Sequence, residues 1–130
     1  MKNVFLFISA SILLLIGSCK KDNVEFSFVG RWDAIGRRNG DGMISEWRTE
    51  PTNSDKHVVF NADGTMSGTE FTEYDNYLVT DGNKLTFTKK NSTATQFYSF
   101  TINTFGTIEL RPEGPYRCIE GCATRFIKRK

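Results

Sequence analysis

The chain has a single histidine, three cysteines, three prolines and one long apolar run in 130 residues. Each of these scarcities removes a class of protein. A histidine-activated nucleophile has His57 as its one candidate base, and His57 stands in "SDKHVVF", at the head of a strand that turns Val58 and Phe60 inward. It reads as a solvent-side strand residue. A zinc centre wants four ligands, and beyond the remote His57 no second cysteine pair supplies them. "NGDG" lacks the oxygen-ligand spacing of a calcium loop. The carboxylates Glu46, Glu70, Glu73 and Asp75 are numerous enough to offer a glycosidase pair, but on a near-neutral surface they read as ordinary solvating groups. No catalytic residue, metal or cofactor is therefore expected, and the chain reads as a binding protein and not an enzyme. Helical spacing is also missing: after the first 18 residues no window of eleven or more places apolar residues at i, i+3, i+4 and i+7.

The one long apolar run is Val4 to Ile16, "VFLFISASILLLI", behind Lys2 and ahead of "GSC". As a helix it would rise about 20 Å, short of the roughly 30 Å hydrocarbon core of a bilayer, so it reads as a secretory signal and not as a permanent span. The "LIGSC" that follows resembles a bacterial lipobox. That resemblance implies a diacylglyceryl group on the Cys19 thiol, cleavage before Cys19 and acylation of the new amino terminus. "CKKDN" resembles the lysine-then-acidic sorting signal of lipoproteins in the Bacteroidota, which implies an outer-membrane lipoprotein, periplasmic or surface-exposed. The expected partner is then the lipid bilayer, through acylated Cys19, and the expected location is the cell envelope.

Discarding the first 18 of 130 residues leaves 112, enough for one domain with one core. The sequence divides into a signal peptide over 1–18, a lipidated linker over 19–28 and a barrel domain over 29–130. Without Lys2 the balance is 16 basic against 15 acidic side chains, with no basic stripe, so nucleic acid is not an expected partner.

Short β-rich segments recur along the rest: "GRWDAIG", "MISEWR", "HVVFN", "GTMSGTEF", "NYLVT", "KLTFTK", "TQFYSFTIN", "TIELR" and "ATRFIKR". Asp63-Gly64 lies between Phe60 and Met66, Asp81-Gly82 between Val79 and Leu85, and "NTFGT" between Ile102 and Ile108, each a signal for a tight hairpin. Consecutive hairpins make an antiparallel meander. Eight or nine strands in this length predict an all-β fold, a small up-and-down barrel. Alternation puts Leu85 and Phe87, then Tyr98, Phe100 and Ile102, then Ile108 and Leu110 inside, with Glu109 on the wet face. Trp32, Trp47, Val58, Phe60, Met66, Tyr77, Val79 and Phe126 fit the same inward set, a large aromatic volume for a small barrel.

"VGRWDAIG", a long loop, "HVVFNADGTM", "YLVTDGNKLTF" and "TIELR" together resemble the lipocalin-like domains of Bacteroidota lipoproteins, over roughly Val29 to Arg129. The resemblance implies that Trp32 of the G-x-W motif, with Gly30, closes one end of the barrel and that a basic side chain of the last strand, matched by Arg125, stacks over it. The chain is shorter than a secreted lipocalin and lacks its threonine-aspartate-tyrosine motif and carboxyl-terminal helix, so ligand transport does not follow from the fold.

"CIEGC" is expected at the tip of the last hairpin, with Ile119, Glu120 and Gly121 as its loop and Gly121 left-handed. Cys118 and Cys122 then face one another at antiparallel spacing, within disulfide range. Outside the cytosol a disulfide is the natural state of the pair. Pro112 and Pro115, just before it, are expected outside the sheet ladder. Two functional readings follow. In one, the barrel mouth holds a small apolar ligand against Trp47, Tyr77, Tyr98 and Phe100. In the alternative, the interior is filled and the loops, including the glycine-rich "GRRNGDGMIS", engage an envelope protein as an interaction or inhibitor module. The abundance of large inward side chains favours a filled core.

Overall fold

The computed structural model describes residues 26–40, 46–80, 82–103, 105–118 and 121–130. The signal run and Cys19 lie outside the described residues, as do Met43 and Ile44 of the second expected segment.

Among the described residues nine strands form: β1 (Gly30–Arg38), β2 (Trp47–Thr49), β3 (His57–Phe60), β4 (Met66–Gly68), β5 (Tyr74–Thr80), β6 (Lys84–Lys89), β7 (Thr95–Ile102), β8 (Thr107–Gly114) and β9 (Ala123–Lys128). All pairings are antiparallel, in the order β4-β3-β1-β9-β8-β7-β6-β5, with β2 pairing the second half of β1. An isolated bridge, Thr65 to Asn76, and a hydrogen bond from Tyr77 N to Gly64 O (2.9 Å) bring β4 to β5. The sheet is thus a nearly closed up-and-down barrel, and no helix occurs among the described residues.

The hairpins arise from local chemistry. In the β3–β4 turn the Asp63 carboxylate accepts hydrogen bonds from Thr65 N (2.9 Å) and Thr65 Oγ1 (2.6 Å), while Gly64 takes φ 85°. Gly82 and Asn83 turn β5 into β6 with φ 73° and 61°, and Gly106 turns β7 into β8 with φ 71°. Gly68 is required for a different reason: at φ 126°, a Cβ there would collide with the His57 carbonyl across the ladder.

Alternation fills the interior with Trp32, Val58, Phe60, Met66, Leu85, Phe87, Phe100, Ile108, Leu110 and Phe126, all buried. For five residues the expected exposure or pairing needs correction. Trp47 is half-buried on the outer wall, because β2 pairs β1 only after the β-bulge between Ala34 and Gly36 has shifted the phase. Val79 and Ile102 keep the inward phase but lie at strand ends, where they are exposed. Glu109 faces outward as expected and is nonetheless buried. Pro112 lies within β8, opposite Tyr98 at a bulge; β8 has by then parted from β9, whose last partner is Thr124 for Leu110, so the missing N–H breaks no ladder.

The barrel also begins earlier than Val29. Phe28, expected in the linker, is buried, its ring edge-on to Phe100 (4.7 Å) and Phe60 (5.7 Å), and its carbonyl accepts the indole N–H of Trp32 at 2.7 Å.

Candidate functional site

Trp32 is buried near the start of β1, with Phe28 beside it and Phe26 packed on Phe28 and Phe100. The cation above it is not Arg125. It is Lys128, whose Nζ stands 5.5 Å from the Trp32 ring centroid and donates to Ser27 O at 2.9 Å. The lysine stem crosses Gly30, where a Cβ would come within 3.1 Å of Lys128 Cε. The register explains the exchange: Trp32 opposes Lys128, which shares its phase with inward Phe126, whereas Arg125 opposes Gly36 and faces outward.

Arg125 instead stacks on Trp47, its guanidinium carbon 3.9 Å from the ring centroid, and Arg38 approaches the same ring at 5.2 Å. Beneath them lies Glu109, which accepts from Arg111 at 2.7 Å and Arg125 at 3.3 Å and has Arg38 at 3.9 Å. Burial pushes the Glu109 carboxyl upward, but Arg111 and Arg125 outweigh it, and its pKa falls below the ordinary carboxylate value. Arg125 Nε is buried with no hydrogen-bond partner among the described residues, a loss that stacking on Trp47 offsets.

The opposite end of the interior is occupied by Phe71. In the turn between β4 and β5 it takes φ 56° and directs its ring inward against Phe87 (5.0 Å), Tyr98 (5.5 Å) and Phe126 (6.1 Å). The sequence pattern placed Phe71 in a strand, "GTMSGTEF"; the strand ends at Gly68 and the aromatic becomes a stopper. Beside it Arg37 bonds both Glu50 and Glu70, the latter at 2.5 Å, with Lys56 Nζ at 4.0 Å from Glu70. Burial lowers the Arg37 pKa, the two glutamates raise it more, and the net shift is upward. Glu70 is therefore held in an ion cluster, while Glu46 and Glu73 are exposed singly and Asp75 accepts from Asn76 Nδ2 at 2.6 Å.

The four side chains expected to wall one ligand chamber are dispersed. Trp47 is on the outer wall with Arg125. Tyr98 packs into the core against Phe87 at 4.8 Å, and burial raises its phenol pKa far above the ordinary value. Tyr77 and Phe100 share a cleft of about 410 Å³ at the Trp32 end, which also takes in Phe26, Val29, Val79 and Ile102. The Tyr77 hydroxyl donates to Asn61 O at 2.8 Å. A wider cleft of about 1220 Å³ lies on the outer wall over β5 to β8, lined by Lys84, Thr86, Phe97, Ser99, Glu113 and Arg117 among others. Leu78, opposite Thr86, and Phe97 are exposed on that wall.

His57 is half-buried and not the exposed residue expected: its Nδ1 lies 3.0 Å from Asp55 O and 3.2 Å from Asp55 Oδ1, with Thr69 Oγ1 at 3.4 Å. Cys118 and Cys122 stand at disulfide distance, Cα atoms 5.6 Å apart, and Gly121 is left-handed at φ 84°. They are not the neck of a hairpin. The β8–β9 ladder ends at Leu110 and Thr124, so the pair closes a small ring in the irregular connection; Ile119 and Glu120 lie outside the described residues. Arg38 Nε donates to Gly121 O at 2.8 Å and holds that connection against β1. Among the described residues no group of three His, Cys, Asp or Glu side chains is placed to hold a metal.

Comparison of the chain with protein-family models, curated proteins and solved structures gives no match. The class that geometry defines is a nine-stranded, nearly closed antiparallel barrel with an aromatic-filled interior.

Proposed function

We propose that this protein is a membrane-tethered lipoprotein whose barrel is a protein-binding module, engaging an envelope partner over its outer wall and loops and not a ligand in its interior. One observation carries the reading: the place where a barrel of this kind would hold a small molecule is filled by Phe71, Phe87, Tyr98 and Phe126 packed ring against ring. A ligand chamber needs roughly 300 Å³ or more of lined space; the clefts described above lie on the outer wall and around Trp32, and a further one of about 570 Å³ lies beside Phe71, between Tyr98 and Tyr116.

Anchoring through a diacylglyceryl group on Cys19 is supported by the apolar run Val4 to Ile16 and the small residues before Cys19. A lipocalin-like relationship is supported by Gly30 and Trp32 at the start of β1 and by the meander that follows. The outer-wall cleft, with Phe97 flanked by Lys84, Glu113 and Arg117 and with Leu78 exposed on the same wall, suits a partner segment with alternating apolar and charged side chains.

The test combines two measurements on the mature lipoprotein. Fatty acids, haem and hydrophobic dyes are titrated while tryptophan emission is followed; no saturable change is expected. A photo-crosslinking side chain at Phe97 is expected to yield one discrete adduct in intact envelopes, lost on Leu78→Asp. Saturable binding of an apolar molecule that Phe97→Asp leaves intact would return the assignment to a small-ligand carrier. Mass analysis of the amino terminus is expected to show diacylglyceryl cysteine, and an unmodified chain starting elsewhere removes the anchor.

A further inference from the structure

Nine large apolar side chains are exposed in the described structure, and six of them, Phe26, Val29, Val79, Ile102, Phe105 and Ile127, are at one end of the barrel. Scattered apolar exposure needs no explanation, but a concentration at one end does. The registers define that end. Gly30 opposite Phe60, Thr80 opposite Lys84, Ile102 opposite Ile108 and Trp32 opposite Lys128 bring together the chain's first described residues, three hairpin turns and the carboxyl terminus. Phe26, Val29, Val79 and Ile102 line a single cleft of about 410 Å³ there. Phe105, 88% exposed, is in the β7–β8 turn, the most exposed of the nine.

We infer that this end is a membrane-contact face: Phe105 and the cleft of Phe26, Val29, Val79 and Ile102 sit at the boundary of headgroups and acyl chains, with Lys84 and Lys130 toward anionic headgroups. The inference rests on lipidation at Cys19 as proposed above. Two further observations on the chain select a bilayer as the occupant. The six residues 20–25 separate Phe26 from Cys19, and fully extended they span at most about 22 Å, so an acylated Cys19 brings lipid to this end and not to the β6–β7 end. The charge matches as well. Lys84, Lys128, Arg129 and Lys130 surround the patch; Arg129 is satisfied by Asp33 at 2.8 Å and Lys128 by Ser27 O at 2.9 Å, while Asp63 is the acidic group in the adjoining β3–β4 turn. Exposed aromatics with flanking lysines are the composition that settles at a membrane interface, where the ring is desolvated and the ammonium stays in water. The arrangement orients the barrel, with the outer wall over β5 to β8 standing upright from the surface and the β6–β7 turn facing away.

The mature lipoprotein in vesicles of phosphatidylethanolamine and phosphatidylglycerol with brominated acyl chains tests the orientation. Phe105→Trp places a probe at a position too exposed to perturb folding, and Thr93→Trp places one on the opposite turn. Bromolipids are expected to quench the added emission of Phe105→Trp by about half and to leave that of Thr93→Trp unchanged, as for a ring seated at the interface. Exchanging phosphatidylglycerol for phosphatidylcholine is expected to reduce the quenching. Sedimentation with the vesicles without quenching of Phe105→Trp overturns the contact face and leaves the anchor standing; equal quenching of both probes overturns the orientation. Failure to sediment, with no quenching, overturns face and anchor together.

Discussion

The guanidinium of Arg125 lies 3.9 Å above the ring of Trp47, on the outer wall, and over Trp32 its place is taken by Lys128. Trp47 thus reports on Arg125, with Arg38 farther off at 5.2 Å, and Trp32 on Lys128, at the two ends of β1. Arg125→Ala is expected to shift and brighten or dim the Trp47 component while leaving Trp32 emission in place, and to cost about 1 kcal/mol, the scale of a partly exposed cation-π contact. Emission spectra of Arg125→Ala in Trp47→Phe and Trp32→Phe backgrounds check the assignment; a change confined to Trp32 would contradict it.

Phe71 is the interior stopper, and its removal should be felt as a cavity. Phe71→Ala is expected to destabilise by about 2–3 kcal/mol, below the range for a fully buried phenylalanine because the ring is only half-buried. The same variant should bind a hydrophobic dye more strongly than the natural chain. Urea unfolding and dye titration, run together, separate this from simple loosening, since a loosened barrel would bind dye with a reduced m-value.

Glu109 ties acid sensitivity to the arginines above it. Its pKa is lowered in the folded state, so the unfolded chain binds more protons between the folded value and the ordinary carboxylate value of 4.5, and stability rises with pH across that interval. The contribution is fully present above about pH 4.5 and lost as pH falls through the folded value. Glu109→Gln is expected to flatten this acid limb and to cost about 1–2 kcal/mol at neutral pH, leaving Arg111 and Arg125 without their counter-charge and with one acceptor oxygen in place of two. Thermal melts from pH 3 to 7 measure both.

Reduction of the Cys118–Cys122 pair should matter little. A ring of sequence separation 4 removes only about 2 kcal/mol of unfolded-chain entropy at most, and the β8–β9 ladder does not include it. Denaturant midpoints with and without reductant are expected to differ by less than that amount, while Arg38→Ala, which frees Gly121 O, should loosen the same connection in hydrogen exchange.

The fold was readable where its causes are local. Asp63-Gly64 forms its turn through a side chain two residues from its partner, and Leu85 and Phe87 alternate within one strand. The sites were not, because their causes are distant. Glu109 looks wet from its own strand and is buried only because Arg38 comes from β1 and Arg125 from β9. Arg125 resembled the cation over Trp32 until the register made Lys128 the opposing residue, and the bulge at Ala34 to Gly36 carried Trp47 to the outer wall. Phe71 gave no signal beyond being aromatic: a left-handed φ at a phenylalanine contradicts its intrinsic preference and is imposed by the cavity it fills.

The pairing of β1 with β9 has a temporal side. Asp33 and Arg129, which meet at 2.8 Å, are 96 residues apart, so the first strand of the barrel, paired on one edge with β2 and β3, waits for the last one to be made before its other edge is paired. Until β9 arrives, Trp32 and Ala34 have no lid on that side and the interior has no floor. Contacts of such long range slow folding and concentrate it at the end of synthesis. A nascent chain of this design stays slack through most of its synthesis, and it hardens only once its final six-residue strand has been made.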